Sequence, residues 1–262
     1  MTRTGYSEKI NRRKGKKLPE RSESLADEPF GGRCPTSHER MTGLPWDASY
    51  HDGPAPWDTG RPQPAIVRLA SEGGFAGAVL DAGCGTGENA LHVASLGLPV
   101  LGVDVAETAL AIARAKAGDR GIEAEFAAAD ALRLGRLGRR FETVLDCGLF
   151  HTFDGDERSG YVTSLASVTE PGGTLYVLCF SDDGPDTGPH PVSRDELGAA
   201  FAPGNGWSVV AIEPDRVQTR YHDDGAPAWL ATIRRIRPPA GGWASSAGPT
   251  AVEDSFGREL NA

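Results

Sequence analysis

Residues 79–97 read V-L-D-A-G-C-G-T-G-E-N-A-L-H-V-A-S-L-G. The apolar run at 78–80 has the length and composition of a buried strand, and Asp81 closes it. Gly83, Gly85 and Gly87 alternate through a tight turn with Cys84 and Thr86 between them. From Glu88 onward, Leu91, Val93, Ala94 and Leu96 set a helical pattern. Glycines belong where backbone must turn sharply and lie against a ligand, because a Cβ would collide with it. Strand, glycine-rich turn and helix make the nucleotide-binding opening of a doubly wound α/β domain. Asp81 narrows the ligand: a pyrophosphate would be repelled there, whereas a cofactor with positive charge and no phosphate is tolerated or favoured.

The flanking chain supports an α/β order. Residues 62–72 read as a helix with prolines in its first turn, where no backbone N–H is lost. Residues 100–103 form a second strand ending at Asp104, 23 residues after Asp81. An acid there can accept two hydrogen bonds from a ribose diol, or simply cap the following helix. Residues 107–117 are strongly helical by propensity. Residues 123–129 form a third strand followed by Asp130-Ala131, and 141–145 a fourth followed by D-C-G-L-F-H-T-F. Ligands bind beyond the carboxyl ends of such strands, which puts Asp146, Cys147, Phe150 and His151 where cofactor and substrate meet. Residues 155–170 form a helix, P-G-G at 171–173 stops it and turns into a fifth strand at 174–180. Residues 181–192 make a candidate substrate loop. Residues 193–201 open with a capping box. Two last strands, 207–217 and 228–236, are joined by R-Y-H-D-D-G-A-P, which carries His222.

Ahead of the first helix, Trp46 and Trp57 stand eleven residues apart in a Pro/Gly-rich stretch. They anchor the loop on the core or form a lid, since aromatic faces attract a cation.

The whole chain of 262 residues carries a net charge of −9. Residues 1–40 hold ten Lys/Arg against six acids, a net of +4, which leaves −13 on the remainder. Lacking hydrophobic periodicity, they read as a disordered extension, with residues 41–237 as one domain and 238–262 as a disordered tail. Deleting residues 1–40 is expected to leave stability and activity nearly unchanged. The acidic body argues against a nucleic-acid partner. No apolar run approaches the roughly 20 residues that span a bilayer, and no signal peptide is visible, so a cytoplasmic protein with no membrane partner is expected. The cysteines Cys34, Cys84, Cys147 and Cys179 are scattered, which suggests a reducing compartment and neither a disulfide framework nor a metal site.

D-A-G-C-G-T-G after the first strand resembles motif I of the class I S-adenosylmethionine (SAM) dependent methyltransferases. P-W-D-T-G-R-P-Q-P at 56–64 resembles the P-W-D-x-G signature of the thiopurine and halide/thiol methyltransferase group. D-A-G-C-G-T-G-E-N-A-L-H-V-A with D-C-G-L-F-H-T-F looks most like actinobacterial members that methylate small heteroaromatic compounds. The resemblance spans about residues 44–236 and implies a Rossmann-like, seven-stranded, mostly parallel sheet with helices on both faces. It also implies that Trp57, Asp81, Gly83, Cys84, Gly85, Thr86, Gly87, Asp104, Val105, Asp130, Ala131, Asp146 and Cys147 border SAM. Asp130 would meet the adenine amino group. Trp46, Phe150, His151 and His222 would border a small-molecule acceptor. The reaction is then an in-line attack of O, N or S on the methyl carbon, by a monomer or homodimer. His151 is the candidate base, because imidazole titrates near neutrality, or else it only packs and hydrogen-bonds in the pocket. Thiol or halide transfer is the alternative. Cys147 in place of an aromatic residue, and Glu88-Asn89 in place of another pair, weigh against halide. A non-catalytic SAM-binding protein and a macromolecule methyltransferase are the remaining readings.

Overall fold

The structure, a computed structural model, describes residues 30, 33–184 and 191–237. Most of both expected tails, and 185–190 of the candidate substrate loop, lie outside these residues.

Seven strands form one sheet: β1 (Val79–Ala82), β2 (Val100–Asp104), β3 (Glu125–Ala128), β4 (Phe141–Cys147), β5 (Thr169–Phe180), β6 (Trp207–Thr219) and β7 (His222–Arg235). Their order is β3-β2-β1-β4-β5-β7-β6. The first five are parallel, and β7 runs antiparallel to both β5 and β6. The helices are α1 (Ser37–Thr42), α2 (Pro64–Ser71), α3 (Glu88–Ala94), α4 (Glu107–Arg120), α5 (Gly155–Val168) and α6 (Arg194–Ala200).

Side-chain alternation along the strands divides the core in two. Leu80, Ala82, Val144 and Val177 pack with Tyr161 and Leu165 of α5 and Leu197 of α6. Val79, Val100, Leu145 and Leu178 pack with Ile66 and Leu69 of α2 and Ala90 and Val93 of α3. Every residue of β1 is buried, as expected of a central parallel strand covered on both sides. β1 lies between β2 and β4, where the strand order reverses, and that crevice is where open α/β sheets bind ligands. Gly87 closes the packing here: with φ +81, a Cβ on it would stand 2.8 Å from the Ala113 methyl and 2.9 Å from the Phe126 ring.

Four expectations are corrected. P-G-G does not end the helix: α5 stops at Val168, and β5 already begins at Thr169. The pairing jumps from Phe141↔Thr169 to Thr143↔Thr174, so P-G-G is a bulge inside a long strand. The third strand is shorter at both ends than 123–129. The closing hairpin is far tighter than eight linking residues: Thr219 pairs with His222, leaving only Arg220-Tyr221 in the turn. D-D-G-A-P reads as loop, but it runs along β7, and its partner β6 shifts register between Val217 and Thr219. Finally, residues 33–40 are folded. α1 is capped by Thr36, whose side chain accepts from the Glu39 amide while Glu39 reaches back to the Thr36 amide.

Candidate functional site

One cavity of about 480 Å³ opens at the carboxyl ends of β1, β2, β4 and β5. Of the residues expected from sequence, Trp46, Trp57, Gly83, Cys84, Gly85, Thr86, Asp104, Val105, Asp130, Ala131, Cys147, His151 and His222 line it. Asp81, Gly87, Asp146 and Phe150 do not.

The last two follow from one turn. Asp146 is fully buried, and its Oδ1 accepts the amides of Leu149 (2.9 Å) and Phe150 (3.2 Å). This wraps the chain into a 3-10 turn that sends Leu149 and His151 to the cavity and Phe150 into the core. Phe150 packs at a tilt 5.5 Å from Phe201, with the Arg158 guanidinium 5.3 Å above its ring. Asp146 therefore shapes the loop instead of facing a ligand, and Phe150 is a core residue.

The loop after β1 is tied to β2. The Gly83 and Cys84 amides both donate to the Val103 carbonyl, and the Gly85 amide donates to Asp104 Oδ2 at 2.8 Å. Asp104 Oδ1 accepts the Ala106 amide at 2.9 Å. A Cβ on Gly83 would strike Leu149 at 2.9 Å, and one on Gly85 would stand 3.1 Å from the Tyr50 hydroxyl. Backbone therefore fills this wall, and the Asp104 carboxylate lines the cavity beside it. Burial raises its pKa.

At the next strand end, Asp130 caps the following turn through the Leu132 amide (2.9 Å) and lies 3.7 Å from Arg133. Beside the glycine loop, where the Tyr50 hydroxyl approaches Gly85, stand aromatic residues. Trp46 stacks on His38 at 4.2 Å and meets Trp57 edge-on at 5.5 Å, and Trp57 Nε1 donates to the Tyr50 hydroxyl at 3.0 Å. The loop between α2 and these tryptophans is sewn to the hairpin. Gln63 Nε2 donates to the Gln218 carbonyl (2.9 Å), Gln63 Oε1 accepts the Gln218 amide (2.7 Å), and the Arg220 amide donates to Pro56 O. That stitching places Thr219, Tyr221 and His222 at the rim, with His222 Nδ1 2.6 Å from Thr219 Oγ1. His151 is buried beneath, its ring 4.3 Å from Phe180, and its Nδ1 accepts the Phe180 amide at 3.5 Å.

The lining fits a cation with an adenosyl group. Its carboxylates are Asp58, Glu88, Asp104 and Asp130, against Arg33 and Arg61. Glu88 is already paired with Lys116 and Arg120, and Arg33 with the buried Glu39. Asp81 adds to this from below. It is buried, and neither oxygen has a hydrogen-bond partner among the described residues; burial first, and the neighbouring Asp81 carboxylate second, raise the thiol pKa of Cys84 and Cys147 on the wall. Burial and Asp146 push Asp81 up to about 7, and burial pushes Asp146 to about 6. A cation in the cavity would favour the charged form.

The raised pKa has a consequence for stability. Between the unfolded value near 4 and the folded value of about 7, the folded state holds a proton that the unfolded chain has released. Stability from this group is therefore present at low pH and lost as pH rises through that window. Asp81→Asn should flatten the dependence of melting temperature on pH between about 4 and 7 in ligand-free protein. An unchanged slope would show that Asp81 is ionised throughout.

Sequence reasoning missed Arg33, Thr36, His38, Tyr50, Asp58 and Gln63, all on the cavity wall. T-S-H-E at 36–39 is a capping-box signature that could have revealed α1.

Comparison with known proteins agrees with this geometry. Residues 79–173 match the model of the methyltransferase domain family. The chain is 36% identical over 200 residues to 2-heptyl-1-hydroxyquinolin-4(1H)-one methyltransferase of Mycobacteroides abscessus, covering 74% of this chain and 86% of that protein. It is 29% identical over 170 residues to probable thiol methyltransferase 2 of Arabidopsis thaliana, covering 64% and 75%. Among solved structures it resembles, at 42% identity and a TM-score of 0.63, a protein reported for the conversion of a disulfide bond into a thioacetal group during echinomycin biosynthesis. That match covers 69% of this chain and 85% of the other. With its seven-stranded sheet and acidic, glycine-walled cavity, the chain belongs to the class I SAM-dependent methyltransferases.

Proposed function

We propose that the protein moves the methyl group of SAM to an O, N or S atom of a small heteroaromatic or phenolic molecule. The observation that carries this reading is the cavity at the strand ends, lined by Asp104, Asp130 and the glycine loop together with Phe180, His151 and the hairpin rim. When bound there, SAM supplies an electrophilic methyl carbon on a sulfonium. The protein's own contribution is alignment and exclusion of water, and alignment alone can be worth roughly 7–11 kcal/mol. Asp104 would hold the ribose diol and Asp130 the adenine amino group. Trp46 and Trp57 would close the aromatic side.

His151 belongs to the acceptor. A backbone N–H can only donate, so the Phe180 amide at Nδ1 keeps the neutral ring's proton on Nε2. In that tautomer His151 donates to the acceptor heteroatom and orients it, while its one ring lone pair faces the Phe180 amide. The acceptor then arrives already ionised or with a free lone pair. An N-hydroxy heteroarene meets this condition, and the 1-hydroxyquinolinone of the Mycobacteroides relative's name is one such compound. Thiolates meet it too, and the thiol methyltransferase relative and the sulfur chemistry of the echinomycin protein favour that second reading.

The reading further includes a domain of about residues 33–237, eight residues longer at its start than the sequence suggested, monomeric or homodimeric, working in the cytoplasm without a nucleic-acid partner. Among the described residues no helix is long and apolar enough to cross a membrane. Labelled SAM offered with a panel of N-hydroxy heterocycles, phenols, thiols and iodide tests the proposal. Label should appear in an N-hydroxy heterocycle or phenol. Label in thiols alone would select the second reading, and label only in RNA or protein added as a control would overturn both.

A further inference from the structure

The segment before the first tryptophan carries a residue that faces the cofactor end of the cavity. Glu39 is fully buried and acts as a knot. Its carboxylate takes a bidentate pair from Arg33, the Thr36 amide (2.9 Å), the Thr36 hydroxyl (3.1 Å) and the Trp46 amide (3.0 Å). α1 is docked on the domain from outside: Arg40 reaches Asp154 (2.6 Å) and Glu157 (2.8 Å), and the Ser37 amide donates to Glu157 (3.0 Å), at the start of α5. The knot holds the Arg33 side chain, 16% exposed, on the cavity wall, where Asp130 and Asp104 both act on its charge. Those two carboxylates bound the adenosyl end.

Of the five guanidinium N–H donors, Glu39 takes two and the Cys34 carbonyl (3.3 Å) a third. Among the described residues two have no acceptor, and they lie in a plane whose orientation the bidentate pair fixes. Because Glu39 already balances the charge, a guanidinium in this position does not repel a sulfonium elsewhere in the cavity.

We propose that Arg33 is a cofactor-binding residue, its remaining N–H groups and flat face serving the adenosyl moiety, and that Glu39 is the positioning residue that holds it there. Residues 33–46 are then part of the cofactor site, although they precede the glycine loop by some forty residues.

Calorimetry with S-adenosylhomocysteine tests this, with acceptor KM measured at saturating SAM. Native protein should bind S-adenosylhomocysteine, which first establishes the site. Arg33→Ala should weaken that binding about tenfold or more, as expected when hydrogen bonds from a charged group are lost. The acceptor KM should stay within about twofold. Arg33→Lys keeps an ion pair with Glu39, and so keeps the segment folded, yet an ammonium offers the ligand neither a flat face nor a fixed fork of donors. It should hold the native melting temperature and still lose most of the affinity. Removing residues 1–32, which spares the knot, should change nothing. Native affinity in Arg33→Lys, or a loss that falls on the acceptor KM while S-adenosylhomocysteine binds as before, would overturn the proposal.

Discussion

Replacing His151 with alanine should lower kcat about 10²-fold, the cost of roughly 1 Å of misplacement at the reacting atom. The loss should be equal for a phenol that is mostly neutral at assay pH, which reacts through its ionised fraction after losing its proton to water, and for an N-hydroxy heteroarene that is already ionised. The reason is the tautomer: with the Phe180 amide at Nδ1, the ring orients the acceptor through Nε2–H and removes no proton. S-adenosylhomocysteine affinity should not change, because His151 stands on the Phe180 side of the cavity, away from Asp104. A loss of about 10²–10⁴-fold confined to the neutral phenol is the signature of general-base catalysis. That outcome would mean the imidazole gives up the Phe180 amide and accepts the acceptor's proton.

Asp104→Ala should weaken SAM binding by tens-fold or more, since a buried carboxylate gripping a diol makes charge-assisted hydrogen bonds. The structure adds a second cost: the same carboxylate holds the Gly85 and Ala106 amides, so its removal also loosens the glycine loop. The melting temperature of ligand-free protein should therefore fall as well. Calorimetry showing unchanged SAM affinity would remove Asp104 from the site, whatever the change in stability.

The fold was legible because its signals are local. β1, the glycine turn and α3 are contiguous, and an acid at the end of β2 is placed by strand length alone. The glycine-loop wall of the cavity was legible for the same reason. What the chain brings from a distance was not. α1 has six residues, too short to show a periodic stripe, and it sits in a stretch whose charge suggested solvent. Its folding depends on Glu39 and on Glu157, which is 120 residues from Ser37. Phe150 was placed in the pocket by its position after β4. The Asp146 carboxylate, by accepting two successive amides, rotates that loop so that its neighbours face the cavity instead. The hairpin was hidden by D-D-G-A-P, whose residues favour turns, while pairing with the whole length of β6 makes them a strand.

The most direct test is the electron density of a ternary complex with S-adenosylhomocysteine and the best acceptor from the panel. The ribose should lie on Asp104. The acceptor heteroatom should lie within hydrogen-bond reach of His151 Nε2, in line with the sulfur and about 3–3.5 Å from where the methyl carbon would stand. An acceptor held away from His151, or a nucleoside turned so that its ribose leaves Asp104, would contradict the account.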